Sequence, residues 1–331
     1  MEASPTDTAA LRSATVSSLG WAWLGVVVQA ALQLAYTAVI SRLVAPGEFG
    51  VIAAAMLVLK FVTYLGRGGI LPAVLQRPTL STQELAGANT LSIVVGASGA
   101  FLGFLVAPLA AALTGVPGAA SATRWISLGL LLGAPGIVPE AQLRREMRFR
   151  TITTLQVVSY LGSNILLAIP LALMGHDRAA LLTAYLAGVF IYSILVRFTV
   201  APRPGFTARW SQMRQFVRFG GTVALTSLLD VVSSSSDIVY VGRLGSGQLG
   251  QYNRASLVIS LPLEQISTAA AGTARSAMVR LQEDRRRFVV ALQTTVGLQA
   301  GLAGAAVGFG AAASPALVRL LLGPQWSQAE S

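Results

Sequence analysis

The chain has 331 residues, of which 54% are apolar and 11% charged, with a net charge of +11 and no cysteine. That balance excludes an ordinary water-soluble domain, and the lack of cysteine excludes a disulfide framework or a thiolate metal site. The apolar residues fall in runs of ~20 without alternation, which excludes a transmembrane β-barrel and leaves helices, whose backbone amides are satisfied internally in lipid.

The first seventeen residues are polar with one cation, Arg12, and Ser18 to Ile40 then runs 23 residues without a charge. At 1.5 Å per residue such a run is ~34 Å long, enough to cross a bilayer and longer than the core of a cleaved signal. Further spans are predicted at 49–66, 87–109, 123–140, 151–174, 179–197, 217–240, 248–273 and 288–313. The expected fold is an all-α polytopic membrane protein of about nine transmembrane helices. None of the connections has room for a folded soluble domain. The single histidine, His176, lies between Gly175 and Asp177 in a short loop, and no metal or other cofactor is expected.

Arginine placement sets the orientation, because cations are retained on the cytoplasmic side during insertion. With the N-terminus inside, cytoplasmic segments hold 17 arginines and the opposite loops six, with Lys60 inside the second span. The basic charge is therefore topological, and no nucleic-acid partner is expected. The stretch Pro202 to Arg218, with Phe206, Trp210 and Phe216 among arginines, reads as an amphipathic interfacial linker.

An internal repeat is visible where the first and seventh predicted helices end. Ser41-Arg42-Leu43-Val44-Ala45-Pro46-Gly47-Glu48-Phe49-Gly50 returns, one residue shorter, as Gly242-Arg243-Leu244-Gly245-Ser246-Gly247-Gln248-Leu249-Gly250. Two six-helix halves related by an axis along the membrane normal are implied, the second ending after three helices. The expected organisation is a cytoplasmic segment 1–17, a six-helix lobe 18–200, a linker 201–216 and a partial second lobe 217–331.

Apart from Glu140 at the very end of the fourth, the acidic residues inside predicted spans are Asp230, Asp237 and Glu264. Asp230, Ser234 and Asp237 share one helical face, which must turn toward a cavity. Asp230 and Asp237 either bind a coupling cation or proton there, or ion-pair with Arg243 or Arg254 to fix packing. Gln29 and Gln33, one turn apart on the first helix, face inward with Asn89 and Gln265, where amides serve sugar hydroxyls or helix packing. Gly297, Gly301, Gly304 and Gly308 form small-xxx-small pairs that predict close packing of the ninth helix.

Several stretches, in order, carry a family resemblance. They are Val39 to Gly50, Leu65-Gly66-Arg67-Gly68-Gly69-Ile70 with Leu75-Gln76-Arg77-Pro78, the basic loop Arg144 to Arg150, Leu249-Gly250-Gln251-Tyr252-Asn253-Arg254-Ala255 with Leu261-Pro262, and Gly323-Pro324-Gln325-Trp326. Together they resemble the polysaccharide-transporter branch of the multidrug/oligosaccharidyl-lipid/polysaccharide exporter superfamily, the flippases of lipid-linked oligosaccharides. The resemblance implies two lobes around a central cavity in a bacterial cytoplasmic membrane and no bond-making step. It also implies a polyprenyl-pyrophosphate-linked oligosaccharide as substrate, for surface polysaccharide or lipopolysaccharide.

A moving pyrophosphate needs cations along its path, which nominates Lys60, Arg67, Arg243 and Arg254 beside Gln29 and Gln33. Lys60 and Arg67 equally fit snorkelling toward headgroups. Anionic lipids, and a glycan polymerase with its export machinery, are the further partners implied. The alternatives are a small-molecule drug exporter of the same superfamily and an inactive truncated remnant. A glycan polymerase would need a large external loop, and none here exceeds roughly 15 residues.

Overall fold

The computed structural model describes residue 25 and residues 27–66, 70–75, 77, 80–201, 204–207, 209, 213, 216, 233, 235–257, 285–323, 325 and 326. Arg67 and Asp230, and most of the spans predicted at 217–240 and 248–273, lie outside the described residues. Every regular element described is helical. In chain order they are α1 (Val27–Leu43), α2 (Pro46–Gly66), α3 (Ile70–Leu75), α4 (Thr82–Thr114) and α5 (Ala119–Arg145). There follow α6 (Phe149–Leu173), α7 (Asp177–Thr199), α8 (Ser236–Gly242), α9 (246–257) and α10 (Arg285–Leu321).

Five of these, α2 and α4 to α7, are long and apolar enough to cross a membrane, and they coincide with the second to sixth predicted spans. Their polarity is inverted relative to a soluble bundle. Leu166 and Phe101 are 70% and 66% exposed, whereas Thr123, Ser127, Ser163 and Asn89 are buried. Large apolar side chains point outward and small or hydroxyl-bearing ones inward, as expected when lipid is the solvent and close backbone approach holds helices together.

The α4–α5 pair shows how that approach is made. A Cβ at Gly96 would sit 2.5 Å from Ala134 Cβ and 2.7 Å from the Leu130 carbonyl, and one at Gly103 would sit 2.7 Å from Ser127 Cβ. Only glycine admits α5 this closely. Ser92 Oγ adds a 3.1 Å bond to the Ala134 carbonyl. The same spacing, Gly-x-x-Gly-Ala-x-x-Gly-Phe, recurs from Gly96 to Phe104 and from Gly301 to Phe309 in α10. Among the described residues, a Cβ at Gly301, Gly304 or Gly308 would meet nothing within 4 Å.

Helix ends are set by local chemistry. Ser81 caps α4 in a reciprocal box, its hydroxyl accepting from Glu84 N–H at 3.2 Å while Glu84 accepts from Ser81 N–H at 2.9 Å. Gly115, at φ 68°, closes the other end. Pro46 opens α2, where its missing N–H costs nothing. The carboxylate of Glu48 in that first turn is held in a fork by Arg178 at 2.7 and 2.9 Å.

The turns gather at two opposite ends. At one, Asp177 accepts from Ala45 N–H at 3.1 Å, and the α1–α2, α4–α5, α6–α7 and α8–α9 turns meet. At the other, Arg145 donates to the Val74 carbonyl at 3.1 Å, Arg77 lies 5.1 Å over the Phe216 ring and Asn89 donates to the Gly205 carbonyl at 2.9 Å. Asn89 thus spends its Nδ2 on packing, while its Oδ1 is buried without a partner. The two repeated stretches, 41–50 and 242–250, belong to the first end.

There the repeated segments pack reciprocally. A Cβ at Gly50 would meet the Ser246 carbonyl at 1.9 Å, and one at Gly250 would meet the Pro46 carbonyl at 1.8 Å. The repeated arginines cross as well. Arg42 donates to the Leu320 carbonyl at the end of α10 at 2.7 Å, and Arg243 to the Leu113 carbonyl at the end of α4 at 3.4 Å. The arginine of each repeated segment therefore donates to a carbonyl at the end of a long helix remote from it in sequence.

Candidate functional site

Between α1, α6 and α7 lies an open cavity of 390 Å³. Three amides, Gln29, Gln156 and Asn164, and three aromatic hydroxyls, Tyr160, Tyr185 and Tyr192, line it with Ser159 and Ser163. No charged side chain lines it among the described residues.

Its shape follows from a local departure in α6. Residues Leu161–Ala168 form a π-helical segment, in which the Ile169 N–H reaches back to the Asn164 carbonyl. Pro170, which cannot donate to an α ladder, follows directly. The widened turn carries Ser163 and Asn164 on the cavity side. Asn164 Nδ2 donates to the Tyr160 carbonyl at 3.1 Å and to Ser163 Oγ at 2.9 Å, which fixes the amide plane. On α7, Gly188 allows the approach, since a Cβ there would lie 3.0 Å from Ser163 Oγ. Gly129 of α5 makes room for the Tyr185 ring, which a Cβ would meet at 2.5 Å. From α1, Gln29 Oε1 is buried at the wall and accepts no hydrogen bond from the protein. A buried acceptor left without a donor costs on the order of 1–3 kcal/mol and calls for an explanation.

Beyond Tyr160 the polar surface leads to a cation. Tyr160 meets Tyr36 edge-on, ring centroids 6.0 Å apart, and both tyrosines lie in the electrostatic neighbourhood of Arg254. The Arg254 guanidinium stacks 3.8 Å from the centroid of Phe49, whose ring in turn packs on Trp326 at 5.4 Å. Arg254 Nε is buried without a hydrogen-bond partner, and no carboxylate pairs with Arg254 among the described residues. Trp326 Nε1 donates to the Ser41 carbonyl at 2.7 Å, Gln325 Nε2 donates to the same oxygen, and Gln251 donates to the Gln325 carbonyl at 2.9 Å. Three of the family-like stretches, around residues 39–50, 249–255 and 323–326, thus converge on one cluster that frames Arg254.

The other sequence-nominated residues are dispersed. Lys60 is exposed on α2 and does not line the cavity. Gln33 is half-buried outside the lining, so that of the two α1 amides only Gln29 enters it. Arg243 serves as the cap on α4 described above. Asp237 accepts from the Tyr252 hydroxyl at 2.5 Å and makes no ion pair with Arg243 or Arg254. Arg67 and Asp230 lie outside the described residues. What the sequence reading missed is the tyrosine set and the α6 amides. Their signal was a polar stripe in an apolar run: Gln156, Tyr160 and Ser163 at i, i+4 and i+7, and Tyr185, Gly188 and Tyr192 at i, i+3 and i+7.

Known proteins place this geometry in context. The chain is 29% identical to the succinoglycan biosynthesis transport protein ExoT of Rhizobium meliloti, over 94% of this chain and 63% of the relative. It is 22% identical to the lipopolysaccharide biosynthesis protein WzxC of Escherichia coli, over 85% of this chain and 57% of the relative. The chain therefore spans about three fifths of the length of these curated relatives. No solved structure matches. The family described as polysaccharide biosynthesis protein matches residues 39–331. With that match running from the end of α1 to the last residue, the chain belongs to the polysaccharide biosynthesis protein family.

Proposed function

We propose that the protein translocates a polyprenyl-pyrophosphate-linked oligosaccharide across a bacterial cytoplasmic membrane, for assembly of surface polysaccharide or lipopolysaccharide. The observation that carries this reading is Arg254, half-buried with its Nε fully buried and unbonded, and with no carboxylate partner among the described residues, in a helical bundle whose outer surface is apolar. An unneutralised cation at such a place is expensive and marks an ion or substrate path. The planar guanidinium matches pyrophosphate oxygens, and the neighbouring tyrosine hydroxyls can hand the ligand on. The names of the two relatives, one a transport protein, support the same class. No bond is made or broken, and the drug-export alternative lacks support because no carboxylate lines the cavity among the described residues.

In this reading nine spans run from a cytoplasmic N-terminus, and the lobes 18–200 and 217–331 are joined by the linker 201–216. The reciprocal arginine caps and glycine contacts hold the outer end closed, and translocation requires their release. Anionic lipid neutralises the basic inner turns, and a glycan polymerase receives the product outside. Asp237, bonded to Tyr252, is a place for a coupling proton, with Asp230 and the cations Lys60 and Arg67 as further path candidates.

The test is deletion of the gene in its host and complementation with this 331-residue chain, with surface polysaccharide and intracellular lipid-linked precursor as readouts. Loss of surface glycan with accumulation of precursor, rescued by the chain and by Arg254→Lys in part but not by Arg254→Gln, is expected. Unchanged glycan on deletion overturns the proposal.

A further inference from the structure

We infer that the cavity between α1, α6 and α7 is a subsite for an uncharged sugar unit of the glycan, separate from the pyrophosphate position at Arg254. The inference rests on the proposed function and adds which part of the substrate is held where. It begins from the charge of the lining. Amides, hydroxyls and tyrosine rings form the wall, and no charged side chain does so among the described residues. An anion there would find no cation in the wall to replace the water it gives up, so pyrophosphate and acidic sugars are disfavoured. The charges that act on its lining are Arg254, beyond Tyr160, and the Glu140–Arg144 pair behind Tyr192, whose members neutralise one another at 2.6 Å.

A hydrocarbon chain is disfavoured for the opposite reason. It would strip water from the amides and hydroxyls of the wall without replacing those hydrogen bonds, whereas sugar hydroxyls can both donate to and accept from them. A pyranose also has apolar C–H faces, which the tyrosine rings can cover, so the mixed wall fits both sides of its chemistry. The volume of 390 Å³ falls in the range of small-molecule sites, roughly 300–1,000 Å³. The π segment is a third, independent sign. Such widened turns are rare in α-helices and concentrate at functional positions, and this one sets Ser163 and Asn164 into the wall.

The experiment uses the purified chain in phosphatidylcholine nanodiscs free of sugar detergents. Two photoprobes carry a diazirine on the first chain carbon, one an alkyl glucoside and the other an alkyl phosphate. The glucoside is expected to label residues 156–164 and 184–192, and the phosphate not to. Gln29→Met, which keeps the side-chain length and removes the amide, should lower glucoside labelling about tenfold. Gln156→Leu serves as the second variant, and both are first checked for monodisperse elution. Equal labelling by the two probes, no labelling of these segments by the glucoside, or labelling unaltered in the folded variants overturns the subsite. Glycan export in the complemented strain reports separately. Rescue without cavity labelling refutes the subsite alone, and labelling without rescue refutes the flipping function alone.

Discussion

Gly50 and Gly47 stand three residues apart in the same turn of α2, yet their surroundings differ sharply. A Cβ at Gly50 would lie 1.9 Å from a backbone oxygen of Ser246, whereas one at Gly47 would rest at 3.4 Å from the Ser246 hydroxyl. Backbone cannot swing aside as a side chain can, so Gly50→Ala must push the two repeats apart. We expect it to destabilise the protein by about 1–3 kcal/mol, and Gly47→Ala to be close to neutral, measured as thermal unfolding in detergent. Equal melting temperatures for the two variants would contradict the reciprocal packing. The same close approach explains why the family-like stretches are rich in glycine at this end. Arg254 shows the complementary case, in which a long side chain is placed by an aromatic ring and not by an ion pair. That left it available as a candidate for substrate, while Arg243, of equal standing in the sequence, is spent on a helix end.

At the scale of elements, α4 and α6 illustrate how a helix in lipid acquires its ends and its irregularities. The start of α4 depends on the Ser81–Glu84 box, since nothing else in the apolar sequence that follows marks where coil becomes helix. Ser81→Ala should cost about 1 kcal/mol and speed hydrogen exchange at the amides of residues 82–85 by roughly fivefold, while leaving the centre of α4 unchanged. Exchange spread evenly over the helix would argue against a local cap. For α6 the sequence predicts one span at 151–174, and its extent agrees with Phe149–Leu173. The π turn within it was not legible, because an apolar run looks the same in either helical register. It became visible only through the hydrogen bond from Ile169 to Asn164 and the packing of Gly188 on Ser163. The stripe of Gln156, Tyr160 and Ser163 was present in the sequence, but a stripe does not say which neighbour it faces.

For the molecule as a whole, the absence of cysteine makes topology directly testable by single introduced thiols. Met147 in the α5–α6 turn and Met174 after α6 are both exposed, at opposite ends. With a cytoplasmic N-terminus, an impermeant maleimide added to intact spheroplasts should modify Met174→Cys and spare Met147→Cys until the membrane is opened. The reverse pattern would invert the orientation. The crossed arginine caps predict a second result. Arg42→Gln and Arg243→Gln should each accelerate external modification of a cysteine placed at buried Leu249, by about five- to tenfold, and more than either alone when combined. Unchanged rates would mean that the caps do not hold this end closed. By itself, the amino-acid sequence determined the helical class, the position of the five helices long and apolar enough to span, and the alternation of their turns. Those depend on local quantities, the length of an apolar run and the position of arginines beside it. Only the tertiary structure decided which polar groups share a cavity, because one π turn re-aims everything beyond it. It likewise decided that Arg42 and Arg243 serve helices 278 and 130 positions away, contacts to which no local pattern gives access.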